Sequence, residues 1–339
     1  MRAGAAFGVS AALALAIGAG GAWGQGPRAS RGSGCRELPP GADVQAALDA
    51  ATPGDVLCLA PGEHLGPLVV SQRVVLRGPR SARVVSRGTG STLRVRGAGA
   101  ALEGFSVDGS GARFEQADAA VRIEADHVRV EGVRVVHALF GILAERVRRV
   151  QIVGNQIEGD PAKTLGLRGD AIRLWEVRES EVLRNRVTNA RDVVAWYAPG
   201  NRFAANEIAR GRYGLHFMYS HDCRVERNRF DANVVGVFVM YSQGVVLESN
   251  QIRRSAGAAG MGIGVKEAGR IVVRGNTLAD NTVGLYLDQS PLDARDHNWV
   301  EGNTFAGHDR AIVFLGGAAR NHFRNNSLRA NAEQVALEG

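Results

Sequence analysis

With 339 residues, 45% hydrophobic and 22% charged, the chain can bury a sizeable core as one large or two ordinary domains. Its formal charge of +7 is carried almost wholly by arginines, which are dispersed rather than clustered, so nucleic-acid binding is not expected and solvated strand positions account for the charge. A Walker A loop, a dinucleotide fingerprint, zinc-type Cys/His spacing and a locally supported Ser-His-Asp set are all absent; any ATP used is hydrolysed by a partner.

Taken from the start, Arg2 precedes an apolar run from Ala5 to Ile17 and small residues ending Ala22-Trp23-Gly24. This pattern predicts a signal peptide over 1–24, cleaved near Gly24, and export makes disulfides permissible. Of Cys35, Cys58 and Cys223, the first two flank one short helix-strand unit and are the expected bridge. Cys223 is left as a soft metal ligand or a bystander thiol. After a linker over 25–41, one domain is expected over 42–339. It begins with "ADVQAALDAATPGDVLCLAPGEH", whose amphipathic helix, about Asp43 to Ala51, would cover the first layer of the domain.

The body of that domain is a repeat. An Asn-x-apolar motif recurs at Asn155, Asn185, Asn206, Asn228, Asn250, Asn276, Asn303 and Asn326, at spacings of 30, 21, 22, 22, 26, 27 and 23. Between these asparagines lie short alternating apolar segments without helical periodicity. A parallel β-helix with coils of about 22 residues is predicted, equivalent side chains stacking on neighbouring coils. Asparagine suits the repeated turn because it tolerates left-handed backbone and its amide can form a ladder.

The most informative coils are "AIRLWE", "VVAWYA", "GLHFMYS", "GVFVMYS", "GIGVKEA", "GLYLDQS" and "AIVFLGG". Aligned on their first residues, the second and fourth columns (Ile172/Leu174, Val194/Trp196, Leu215/Phe217, Val237/Val239) read as inward. The third column, with Ala195, His216 and Phe238, and the fifth, with Trp175, Tyr197, Met218, Met240, Lys266 and Asp288, then face outward. Met218 and Met240 are expected as exposed neighbours with His216 on the same face. Thioether and imidazole donors select soft ions, Cu(I) above all, and His216, Met218 and Met240 are the candidate set. Met261 is offset from that column and a weaker candidate. By composition alone, stacked methionines on a solenoid face more often form a partner-binding surface than a metal site; Trp175, Tyr197, Phe238, Tyr219 and Tyr241 are its candidates.

The succession "DAIRLW", "DVVAWY", "YGLHFMYS", "VGVFVMYS", "GIGVKEA" and "VGLYLDQSP" resembles the NosD family of periplasmic maturation proteins for nitrous oxide reductase. The resemblance covers nearly the whole mature chain and is strongest over Gly169–Pro291. It implies a right-handed β-helix in the periplasm. The implied partners are an ABC transporter membrane subunit with its ATPase, a copper chaperone and the reductase, and the implied cargo is Cu(I) or a copper–sulfur species. It carries no catalytic residues, so an enzyme is not expected. Relatives of that type continue beyond "EQVALEG", whereas this chain stops at Gly339; either C-terminal coils are missing or the chain is a shortened member, and the last coil near Val335–Leu337 is expected to lack a cover.

Two rival readings stand beside this one. A carbohydrate-active β-helix needs clustered outward carboxylates, for which Asp170, Asp192 and Asp288 are the candidates; Asp288 beside Lys266 is better read as a cross-coil ion pair, and all three as structural residues. A metal-free adhesive solenoid would use the aromatic-methionine face alone. His221, His297, His308 and His322 read as turn histidines.

Overall fold

The computed structural model describes residues 34–338; the expected signal peptide lies outside them. Three parallel sheets of 13, 12 and 12 strands run the length of these residues. The chain visits the first, second and third sheet in turn and then begins the next coil, forming a right-handed parallel β-helix as expected. In one representative coil the strands are Arg202–Ala204, Glu207–Ala209 and Tyr213–Met218, paired in register with Arg224–Glu226, Arg229–Asp231 and Val235–Met240 of the next.

The third sheet carries the long strands, and alternation along them fills the interior. Leu215, Phe217, Val237, Val239, Ile263, Val265 and Leu285 are fully buried, each worth about 1.5–3 kcal/mol by apolar burial. Phe203 and Phe217 meet edge to face across the interior, centroids 5.4 Å apart.

The asparagine ladder forms at the corner between the first and second sheets. From Asn155 to Asn303, each asparagine donates its backbone N–H and its side-chain Nδ2–H to the Oδ1 of the asparagine one coil on, at 2.8–3.0 Å. One half of the expected reason is corrected here. The left-handed residue is the one before each asparagine: Arg184, Ala205, Arg227, Ser249, Gly275 and Gly302 have φ between 52° and 62°. Asparagine itself is placed for its amide, which satisfies buried backbone groups that the sharp corner removes from the strand ladders.

At the N-terminal end the helix spans Val44–Asp49, shorter than the expected Asp43–Ala51. Asp43 caps it by accepting from the Ala46 N–H at 2.9 Å. Val44, Ala47 and Leu48 are buried, and the Gln45 amide both donates to and accepts from the backbone of Val69. Cys35 and Cys58, on paired first-sheet segments, are joined with their Cα atoms 5.9 Å apart. On the last described coil Val335 and Leu337 are 50% and 72% exposed. Among the described residues no helix is long and apolar enough to cross a membrane.

Candidate functional site

The outward side of the third sheet is not a bare strand surface but a second apolar layer. Strand pairing sets the columns: Arg173, Val194, His216, Phe238, Gly264 and Tyr286 in one, and Trp175, Trp196, Met218, Met240, Lys266 and Asp288 in the other. This corrects the first-residue alignment in one coil. A register shift between Asp192 and Val194 turns Val194 and Trp196 outward and carries Ala195 inward. Tyr197 therefore leaves the methionine column for the turn after it. The shared Trp-Tyr and Met-Tyr pairs at 196–197, 218–219 and 240–241 hold the true register and were the available signal.

In that turn Tyr197, Tyr219 and Tyr241 all have left-handed backbone, φ 51–52°. Such a conformation costs a non-glycine residue on the order of 1–2 kcal/mol. Their rings stack face on face along the solenoid at 5.2 and 5.0 Å, recovering about 0.5–1.5 kcal/mol per pair. Tyr197 and Tyr219 remain 45% and 41% exposed, so the outer aromatic surface consists of tyrosine edges. Trp175 and Phe238 are half-buried, Trp175 meeting Trp196 and Tyr197 edge-on.

The histidine expected at the surface is 5% exposed. Tyr213, Phe238 and Trp196 surround it, with centroids at 4.8, 6.1 and 6.0 Å. Met218 and Met240, expected bare, are half-buried. The correction has a plain cause: side chains as large as these on neighbouring coils about 4.8 Å apart must cover one another. His216 also reaches a different methionine from its strand neighbour. Its Nε2 lies 3.3 Å from the Met240 Sδ one coil on. Its Nδ1 is buried without a hydrogen-bond partner, as is the Trp196 Nε1 beside it. Burial, helped by the Arg212 guanidinium and opposed by Asp170, pushes the imidazole down to about 4, so at neutral pH it is uncharged with a free lone pair.

Met261, the remaining methionine of the repeat, belongs to this layer as well. A Cβ built on Gly264 would sit 2.6 Å from the Met261 Sδ and 2.6 Å from the Phe238 ring. Glycine there is what lets a third thioether lie across the sheet beside the aromatic cluster.

These donors fit a soft cation. Two bonds of about 2.0 and 2.3 Å meeting near 100° span roughly the separation found between Nε2 and Sδ, and one neutral imidazole with nearby thioethers suits Cu(I). Met218 is the register partner of Met240 and supplies a thioether from the same column. Hard-ion chemistry has no counterpart: among the described residues no cluster of three or more His, Cys, Asp or Glu is placed to hold a metal.

The carboxylates of the carbohydrate reading are already engaged. Asp170 is fully buried between Arg173 and Arg191 at 2.6 and 2.8 Å, and Asp192 pairs with Arg212 at 2.5 Å. Asp288 forms the cross-coil pair with Lys266 at 2.6 Å, which raises the lysine's pKa. Cys223 is buried, its thiol pushed up to about 12 by burial, and is a packing residue. His221 accepts the Gln243 N–H, and His308 takes a place in a second buried ladder by accepting the Asn281 N–H.

Among solved structures the chain is similar to the adhesin PfbA of Streptococcus pneumoniae (TM-score 0.63, 14% identity, 86% of this chain and 87% of that one). It is also similar to a GH87 α-1,3-glucanase of Streptomyces thermodiastaticus (TM-score 0.65, 16% identity, 91% and 68%). At such identities these likenesses show the β-helix fold alone. Two curated relatives, each named a probable ABC transporter binding protein NosD, come from Stutzerimonas stutzeri and Pseudomonas aeruginosa. They are 33% and 30% identical over 136 residues, 40% of this chain but 31% and 32% of their own lengths; the match thus spans about a third of each relative. The family model described as periplasmic copper-binding protein (NosD) matches residues 90–339, which contain every strand of the methionine–histidine face. The chain belongs to the NosD family of periplasmic copper-binding proteins.

Proposed function

We propose that this chain is a periplasmic accessory protein that holds Cu(I), alone or with sulfur, on the outer face of its third sheet during copper-site maturation of nitrous oxide reductase. The observation that carries the reading is the neutral, buried His216 with its Nε2 3.3 Å from the Met240 Sδ and its other ring nitrogen unpartnered. Met218 and Met240 supply thioethers, His216 the nitrogen, and the aromatic layer keeps water from a cuprous ion that water and oxygen would otherwise reach. Handover needs a weak, accessible site rather than a closed one, and the half-buried methionines provide an open side.

The names of the two relatives support an ABC transporter as partner. In this reading its membrane subunit docks on the β-helix, its ATPase supplies the energy, a copper chaperone delivers the ion, and the reductase receives it. Trp175, Phe238 and the tyrosine edges of Tyr197, Tyr219 and Tyr241 form the rim on which a chaperone or the reductase would seat.

An anaerobic Cu(I) competition titration tests the site. Wild type should bind at least about tenfold more tightly than Met218→Ala/Met240→Ala or His216→Ala; equal affinity in all three removes the site. Nitrous oxide reductase copper content in a host lacking its own copy tests the role, and full-length chain that leaves the reductase empty there speaks against it.

A further inference from the structure

Two histidines far along the solenoid, on another sheet from the methionine face, form a contact that turn histidines do not need. His297 precedes the first-sheet strand Asn298–Glu301, and His322 lies on the next coil in Asn321–Arg324, opposite Trp299. The His297 Nδ1 and the His322 Nε2 are 2.8 Å apart. The ring centroids are 5.0 Å apart and the planes differ by 24°. With so short a nitrogen contact inside that centroid distance, the rings lie end to end, nitrogen facing nitrogen.

The pair is held rather than incidental. Trp299 stacks on His322 at 4.3 Å and 21°, fixing the plane of that imidazole and aiming its Nε2 at His297. The coil edge beneath is locked by Asn298, which donates to Ser290 and to Asn321 at 3.0 and 2.9 Å. Asp296, the residue before His297, is engaged by Arg270 and by the Gln243 amide instead of by either imidazole. His297 is exposed, which leaves one side of the pair open to solvent.

We propose that His297 and His322 form a second copper site, a two-nitrogen surface site for Cu(I) separate from the methionine face. Two imidazole nitrogens facing each other present donors in line, which is the arrangement a d10 ion with two ligands takes. One ring nitrogen now donates its hydrogen to the other. On binding, that hydrogen moves to the opposite nitrogen of the same ring, both facing lone pairs become free, and no net proton is lost. The nitrogens must part to roughly 4 Å, twice a metal–nitrogen bond of about 2.0 Å; rotation of the exposed His297 side chain provides this without moving the coil. Imidazole ligation without a thioether binds copper less selectively and leaves room for a third donor from an incoming protein. The site is therefore suited to receiving or passing the ion.

The test uses the full chain with His216→Ala/Met218→Ala/Met240→Ala as background, so that failure of the methionine site cannot hide the result. Under anaerobic conditions, Cu(I) with a chromophoric competitor should show one bound equivalent in this background. Adding His297→Ala or His322→Gln should remove it, while thermal unfolding stays unchanged for His297→Ala. X-ray absorption on the background protein should show short nitrogen ligation with no sulfur. Ag(I), as a redox-inert probe, should shift the ring resonances of both histidines together. Retention of the equivalent in both histidine variants, sulfur in the ligation shell, or a background that binds no copper would each overturn the proposal.

Discussion

At the scale of single residues, the histidine of the methionine face is defined by what covers it. An imidazole left at the surface would titrate near its ordinary value and lose its lone pair in mildly acidic solution. Tyr213, Phe238, Trp196 and Met240 instead hold His216 uncharged, with its pKa pushed down to about 4. Unfolded, the same group takes up a proton near 6.5, so between pH 6.5 and about 4 the unfolded chain binds a proton that the native chain does not. Stability therefore falls as pH drops through that window, by about 3 kcal/mol in all. Denaturant titrations of wild type against His216→Phe should show that this part of the pH slope is lost in the variant; an unchanged slope would mean the histidine is not buried neutral. Cu(I) affinity should stay level from about pH 8 to 5 if His216 is a ligand, since no proton has to leave it over that range.

At the scale of strands and corners, the coil works because each corner has its own device. The first corner uses a left-handed residue followed by an asparagine whose amide bridges coils. The turn after the third-sheet strand also places a residue left-handed, and in three consecutive coils it sets a tyrosine there and stacks it on its neighbours. Replacing Asn228 by alanine leaves the buried Asn206 N–H and the Phe203 carbonyl without partners. Two orphaned groups at about 1–3 kcal/mol each predict a loss on the order of 2–6 kcal/mol, read as a lower urea midpoint. A surface asparagine would cost almost nothing, so a midpoint within error of wild type would show the ladder to be idle. The register shift at Asp192–Val194 belongs to this scale too. It redirects one tryptophan onto the methionine face and one tyrosine into the stack, and apolar alternation cannot reveal it because Val193, Val194 and Ala195 are all apolar.

At the scale of the whole molecule, a solenoid couples each coil chiefly to its neighbours. The Cys35–Cys58 bridge closes a segment with a separation of 23 residues around the N-terminal helix. Cys35→Ser/Cys58→Ser should cost about 3 kcal/mol, and the loss should be local. Hydrogen exchange is expected to rise across the strands from Arg36 to Val70 while the strands from Tyr213 to Asp288 keep their protection. Uniform loss along the chain would show that the β-helix unfolds as one unit.

The repeat, its period, its parallel coils and the inward alternation were legible in the residues, because stacking identical turns forces the same side-chain type into the same place in each coil. The clustering of Met218, Met240 and His216 on one face was legible for the same reason, and so were the Asp288–Lys266 pair and the bridge between Cys35 and Cys58, which flank one short helix-strand unit. Tertiary structure alone decided the rest. Burial of His216, its approach to Met240 rather than Met218, the place of Met261 over Gly264, and the end-to-end contact of His297 with His322 all depend on how side chains of adjacent coils fill shared space. A periodic pattern fixes which way a side chain leaves the strand; where its tip comes to rest is set by the volume its neighbours leave.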